Sequence, residues 1–337
     1  MLTVAYIGFG NSVIRYHLPF IRDHKNVKVK SVYRREVDRQ LPGEMEREAC
    51  YPDILFTSDL NEILNDPEIN LVSINTMQDT HAFYAKACIN AGKHILVEKP
   101  FAMNVKEAKE VYDLGREKGV LVTCNNNRRY DADFLTLKKI IDAGTLGELV
   151  EIQSHYHYFR PVYTTGRGRG MVEGLAIHPI DQMVSLMGKP DRIHYEVRPF
   201  FSEDGDDYID IDFYYGKLKF TVKCSVCAKI DYPKFIAHGT KGSFVKNSQG
   251  HLSAHKMPEP LVVSFEPEAE SNWGTLSYIT EDGKDVTEKV QTEVTNYGAI
   301  YNNLDAFINQ GAELIVKEEQ VLLVLQIVED ALASIDA

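Results

Sequence analysis

The 337 residues contain no apolar run that approaches the roughly 20 residues of a membrane span. No basic stretch precedes the strand-like start Met1-Leu2-Thr3-Val4-Ala5-Tyr6-Ile7, so a secretory signal is not expected either. Positive charge is in short supply: 37 Lys and Arg stand against 49 Asp and Glu, giving a net charge of −12 and a pI near 5.4. Nucleic acid and anionic membranes both reward positive surface, so neither is expected as a partner. Cysteine is sparse and odd in number, five residues at 50, 88, 124, 224 and 227, which reads as reduced thiols in a cytoplasmic protein. Cys224-Ser225-Val226-Cys227 is a lone CxxC without the second ligand pair of a closed zinc site.

A hydrophobic content of 44% with 26% charged residues is that of an ordinary globular protein. A chain of 337 residues exceeds the roughly 250–300 that one core supports, which predicts two domains. The organising stretch is Ala91-Gly92-Lys93-His94-Ile95-Leu96-Val97-Glu98-Lys99-Pro100. A helix ending at Gly92 feeds the apolar strand His94 to Val97, which stops at a charged pair followed by proline. Ligands of open α/β sheets bind outside the carboxyl ends of the strands, so Lys99 is expected in a crevice.

Upstream, the strand Val4 to Gly8 runs into Gly8-Phe9-Gly10 and a helix from Asn11 to His24, the strand, glycine turn and helix of a dinucleotide-binding fold. The third glycine of G-x-G-x-x-G is missing, with Val13 in its place. The next strand, Val27 to Tyr33, ends at Arg34-Arg35, where an NAD-binding fold carries an acidic residue for the ribose 2′-hydroxyl. Arginine there suits a 2′-phosphate, so NADP is the preferred cofactor and NAD a possible one; the alternative is a pair of solvated loop charges. Leu71 to Asn75 is a buried strand, and Thr76 and His81 follow its end, at the edge expected to carry Gly8 and Lys99. Strands alternate with helices up to residue 123, which predicts a doubly wound parallel sheet and a dinucleotide-binding domain over 1–123.

From Leu149 the pattern changes. Strand candidates at Glu148 to Phe159, Arg192 to Val197, Asp207 to Tyr215, Lys217 to Val226 and Phe235 to His238 lack the helices that a parallel sheet needs. Residues 124–337 are therefore expected to form an α+β substrate-binding and oligomerisation domain with a large open, mostly antiparallel sheet. His155 and His157 share one strand face, yet no third ligand stands out and no metal is expected. Gly239-Thr240-Lys241-Gly242 lacks the G-x-x-x-x-G-K-[ST] spacing of a phosphate loop and reads as a turn. Residues 247–295 are polar and read as hairpins and loops, and two helices, Tyr297 to Asn309 and Lys317 to Ala333, close the chain.

Gly8-Phe9-Gly10, His17-x-Pro19, the Ala91 to Pro100 block and Asn127-Arg128-Arg129-Tyr130-Asp131 follow one another at a spacing that resembles the Gfo/Idh/MocA oxidoreductase family. The branch it is most similar to contains NADP-preferring scyllo-inositol dehydrogenases, through His155-x-His157-x-Phe159-Arg160-Pro161, Ile180-Asp181-Gln182 and Phe235 to Val245. The resemblance implies that Lys99 and His178 are catalytic and that the exposed sheet face joins subunits into a dimer or tetramer. The family's Asp four residues before the catalytic His is absent: Gly174 stands there and Glu173 lies one position earlier. Candidate cofactor contacts are Gly8, Phe9, Gly10, Asn11, Ser12, Arg34, Arg35, Thr76, His81, Glu98 and Lys99. Candidate substrate contacts are Arg160, Asp181, Tyr158 and Asn127.

The reaction expected is hydride transfer between a nicotinamide and a secondary alcohol of a sugar, polyol or inositol. The hydroxyl proton must leave with the hydride, which requires a base; Lys99 is the candidate and His178 its partner. A free lysine titrates at about 10.4 and useful catalysis near neutrality needs roughly 7–8, a gap that burial and a cationic nicotinamide would narrow. Two other readings stay open: a dinucleotide or sugar sensor without turnover, and a reductase of another carbonyl such as a dihydrodiol or tetrapyrrole.

Overall fold

A computed structural model describes residues 1–22, 24–159, 170–201, 205–247 and 260–336. Six short strands, β1 (Leu2–Ile7), β2 (Val27–Tyr33), β3 (Leu55–Thr57), β4 (Leu71–Ile74), β5 (His94–Glu98) and β6 (Val122–Asn125), form one sheet in the order β3-β2-β1-β4-β5-β6. Every pairing in it is parallel. The apolar runs of β1 and β4 are buried along their whole length, as strands covered on both faces must be. Helices His81–Asn90 and Val105–Lys118 connect the later strands; the second is capped by the Asn104 side chain, which accepts from the Glu107 N–H, and ends at Gly119 in the left-handed region.

The second sheet has eight strands: β7 (Leu149–His157), β8 (Arg192–Arg198), β9 (Tyr208–Tyr215), β10 (Leu218–Ser225), β11 (Pro233–Gly239), β12 (Gly242–Asn247), β13 (Gly274–Ile279) and β14 (Asp285–Val290). Their order is β14-β13-β12-β11-β7-β10-β9-β8, antiparallel throughout except for the parallel pair β7 and β10. Inward-facing Ile152, Ile211, Phe213, Phe220 and Phe235 build a core with Phe134 and Leu137 of helix Ala132–Asp142 and Ile180 and Val184 of helix Ile177–Met187. Residues 240–241 close the β11–β12 hairpin. Strands β13 and β14 arise from the polar stretch that reads as hairpins and loops; β14 has no fully buried residue, so no alternation marks it in the sequence.

Packing divides the chain into two compact units. The described residues of the first are 1–22, 24–127, 260–264 and 296–322, and of the second 128–159, 170–201, 205–247, 265–295 and 323–336. A single cut at residue 123 assigns 296–322 to the second domain. Those residues instead pack with the first unit, where the Tyr301 and Tyr6 hydroxyls lie 2.7 Å apart and Thr123 Oγ1 donates to the Val316 carbonyl at 3.1 Å. No described helix is long and apolar enough to cross a membrane.

Candidate active site

In the first unit the carboxyl ends of β1, β4 and β5 lie side by side and deliver Gly8, Asn75 and Lys99 to one edge. Gly8 has φ +95°, and a Cβ there would sit 2.5 Å from the Asn75 carbonyl oxygen, so both backbone conformation and space demand glycine. A Cβ at Gly10 would meet nothing within 4 Å, which leaves the open backbone approach that a pyrophosphate needs. Asn11 is exposed and Ser12 half-buried at the start of the helical segment. Val13, where a third glycine would stand, is fully buried at the head of a π-wound turn, Val13–His17, that continues as helix Leu18–Ile21. Such turns concentrate at functional sites.

The two arginines after β2 go opposite ways. Arg34 is buried, its Nη1 donating to Glu48 at 2.8 Å and its Nη2 to Glu44 at 2.5 Å. Arg39 and Arg47 complete this cluster through Glu48 and Glu44, and Arg47 also donates to the Phe9 carbonyl in the glycine turn. Phe9 itself is enclosed by Tyr51, Phe56 and the guanidinium groups of Arg34 and Arg47, so its ring serves the turn from inside. Arg35, in contrast, is exposed, with Nε and Nη2 donating to Asp38 at 2.7 and 2.8 Å.

At the end of β5, Glu98 and Lys99 are both half-buried. Glu98 Oε1 accepts from His17 Nε2 at 2.9 Å, from Asn125 Nδ2 at 2.7 Å, from Asn75 Nδ2 at 3.3 Å and from the Ser12 hydroxyl. Burial raises the Glu98 carboxyl, but the bond to His17 and those from Ser12 and Asn125 outweigh it and hold the group at about 2. His17 Nδ1 lies 2.6 Å from the Tyr301 hydroxyl, which joins Tyr6. His81 is buried with Nδ1 2.9 Å from the Pro100 carbonyl and Nε2 3.2 Å from that of Thr76, so its ring braces the two strand-end loops. The half-buried Thr76 receives a hydroxyl bond from Thr80 at 2.8 Å, and Asn127 is buried beyond β6.

In the second unit, His178 is half-buried in the first turn of helix Ile177–Met187. A π-wound turn, Val172–Ala176, precedes it, and the Asp206 carboxylate accepts from the N–H groups of Met171 and Val172 at 2.6 and 2.7 Å. That carboxylate fixes the helix entry. Gly174 is exposed with room for a Cβ, and Glu173 is half-buried. Asp181 accepts two bonds from Arg129, at 2.8 Å from Nε and 2.6 Å from Nη2, with both side chains at most 5% exposed. The neighbouring Gln182 donates to the Arg128 carbonyl at 2.7 Å and accepts from the Tyr156 hydroxyl at 3.4 Å. Tyr158 is half-buried, its N–H on the Ser225 carbonyl. Arg160 lies outside the described residues.

Sequence reasoning missed the supporting groups. His17 was visible only as part of a family block, and Asn75, Asn125 and Tyr301 carried no local signal. Lys234 was missed as well: it is buried with its ammonium over the Tyr156 ring, and burial, opposed by Asp133 and Asp131, brings it down to about 7. His155 Nδ1 faces the Pro233 carbonyl at 2.7 Å and its ring stacks on His157. Among the described residues no group of three or more His, Cys, Asp or Glu is placed to hold a metal, and all five cysteines are free thiols.

Residues 2–126 match the family model described as the Gfo/Idh/MocA oxidoreductase family with an NAD-binding Rossmann fold, and residues 134–245 match the model of its C-terminal domain. The uncharacterized oxidoreductase YhhX of Escherichia coli is 42% identical, over 98% of this chain and 95% of its own. The scyllo-inositol 2-dehydrogenase (NADP(+)) IolW of Bacillus subtilis is 30% identical, over 99% and 93% respectively. The crystal structure of an oxidoreductase from Bacillus cereus superposes with a TM-score of 0.89 at 36% identity, covering 99% of this chain and 96% of that one.

Proposed function

The chain belongs to the Gfo/Idh/MocA family of oxidoreductases, and from that premise we propose that it moves a hydride between NADP and a secondary alcohol carbon of a sugar, polyol or inositol. The observation that carries this reading is the placement of Lys99 at the carboxyl end of β5, on the same sheet edge where Gly8 turns out of β1. Such an edge is where open α/β sheets take their ligands.

A bound nicotinamide dinucleotide would supply the hydride acceptor or donor. The chain supplies the rest. Gly8 and Gly10 expose backbone to the pyrophosphate, and Arg35 offers a solvent-facing guanidinium to a 2′-phosphate. Lys99 takes the hydroxyl proton as the carbonyl forms and returns it in the reverse direction. His178 is a polar contact for the reacting hydroxyl. The face of the second sheet carrying Asp210, Asp212, Lys219 and Lys223 is assigned to contact between copies of the chain, as the family resemblance implies.

The test is NADP reduction against a panel of inositols and aldoses. Turnover with one of them, abolished by Lys99→Met while NADP binding stays within about threefold, is the expected result. Turnover that survives Lys99→Met, or tight NADP binding without turnover on any polyol, overturns the proposal.

A further inference from the structure

One buried amine is not used by the hydride-transfer scheme. Lys234, the second residue of β11, is 8% exposed and rests its ammonium on the face of the Tyr156 ring of β7. Among the described residues it makes no hydrogen bond, and no carboxylate lies within 4.0 Å of it. The other four buried Lys and Arg side chains among the described residues are all bonded. Arg34 meets Glu44 and Glu48, Lys93 the Asp66 and Ile69 carbonyls, Arg129 meets Asp181, and Lys246 meets Glu268 and the Asn272 carbonyl. The polar atoms that the fold seals off without a partner include Ser154 Oγ and both ring nitrogens of His157, but not Lys234 Nζ, so a small molecule can still reach the amine. A buried cation without a partner costs stability, and packing alone gives no reason to keep one. Its neighbours lead towards the proposed reaction. The Tyr156 hydroxyl donates to Gln182 at 3.4 Å, and Gln182 follows His178 by four residues on helix Ile177–Met187, on the same face and about 6 Å along the axis.

The surrounding charges decide what this amine can hold. Asp131 and Asp133 act on it from the start of helix Ala132–Asp142, Arg128 from the turn before, and the buried Cys224 thiol from β10. Arg128 already pairs with Asp131 at 3.1 Å, and Lys246, which also acts on Asp133, pairs with Glu268 at 2.9 Å. Three cations, Arg128, Lys234 and Lys246, thus stand against three carboxylates, those of Asp131, Asp133 and Glu268. Burial disfavours a charge on His155 and on His157, which point to the other side of the sheet. An anionic ligand would bring a charge that nothing here balances, in a buried setting where that is costly. A hydroxyl brings none. We propose that Lys234 is a substrate-contact residue that holds a hydroxyl of a neutral polyol, away from the carbon that reacts beside His178, and so sets which hydroxyl patterns are accepted. A deoxy analogue would leave the amine unpaired, and sites built on such a bond reject the analogue that lacks it. The part played by His178 rests on the hydride-transfer reading above; the contact at Lys234 does not.

The first arm of the test needs no turnover. The full-length wild-type protein is treated with trace acetic anhydride near neutral pH, and acetylation of Lys234 is read by peptide mass spectrometry against the exposed Lys284. The probes are scyllo-inositol, myo-inositol and glucose, with gluconate and glucuronate as carboxylated counterparts. At least one neutral polyol is expected to slow labelling of Lys234 by about fivefold or more while Lys284 is unchanged. A Lys234 that is not labelled at all, that no neutral polyol protects, or that only the carboxylates protect overturns the inference. The second arm is kinetic. Lys234→Met is expected to raise KM for the accepted polyol by about tenfold or more with kcat within about threefold, and to narrow the preference for that polyol over its mono-deoxy analogue. Equal losses on the polyol and the deoxy analogue, as a merely structural role would give, overturn it as well. Protection of Lys234 without turnover of any polyol would support the contact and overturn the hydride-transfer reading, so the two failures are distinguishable.

Discussion

Removing Asp181 takes a carboxylate away from a buried guanidinium. Arg129 and Asp181 meet in a bidentate pair with both side chains at most 5% exposed, so neither charge has water to fall back on. In Asp181→Ala the guanidinium keeps its charge at every accessible pH, because arginine does not deprotonate in proteins, and it loses its carboxylate in a buried setting. Breaking a buried pair from one side costs about 3–5 kcal/mol. At roughly 2–4 °C per kcal/mol for a unit of this size, that corresponds to a loss of about 6–20 °C in melting temperature. Replacing both members by apolar residues, Arg129→Met with Asp181→Leu, removes the desolvation problem along with the attraction and is expected to restore most of the lost stability. Differential scanning calorimetry of the wild type, the single and the double variant reads the comparison directly. A single variant within about 1 kcal/mol of wild type, or a double variant less stable than the single, would refute the burial argument. The consequence for function is that Asp181 anchors the helix bearing His178 to the segment after β6.

Lys234 makes a second prediction with a defined sign. Its folded value, about 7, lies below the ordinary 10.5, so between those limits the unfolded chain binds the extra proton and stability rises with pH. Lys234→Met removes the penalty: the variant is expected to be more stable than wild type at about pH 6, by a few kcal/mol in order of magnitude, with the gap closing towards pH 10. Urea midpoints across that range check it, and a gap independent of pH would count against the buried ammonium. The third concerns the cofactor. Arg35→Ala is expected to weaken NADP by about tenfold or more and NAD by less than about threefold, since the exposed fork, and not Arg34, is free to turn from Asp38 to a phosphate. Arg34→Met should instead lower stability and weaken both dinucleotides alike, because Arg34 is spent on Glu44 and Glu48. Equilibrium binding of the two dinucleotides to each variant decides which arginine reads the 2′ position.

What could be read from the sequence divides along a physical line. Buried parallel strands such as β1 and β4 are continuous apolar runs, and the turn at Gly8 needs glycine for reasons local to two adjacent strands, so both left a mark within a few residues. Lys99 was legible for the same reason, as a charge at the end of an apolar run. The second sheet was legible where its strands alternate over a core and silent at β14, an edge strand with nothing fully buried to impose a period. Adjacent arginines were the harder case. Periodicity says that Arg34 and Arg35 face opposite sides, but only the short helix Glu44–Ala49, with Glu44 and Glu48 on it, decides which of them is consumed internally. Glu98 shows the limit most clearly. Its place in a Glu-Lys-Pro turn was visible, yet the groups around its carboxylate are Asn75 and Asn125 at two other strand ends and His17, which itself meets Tyr301, 284 residues further on. A periodic pattern reports which side chains leave water. The chemistry of this site depends on which polar groups meet after they have left it, and those meetings are arranged by topology across hundreds of residues, where no local pattern can register them.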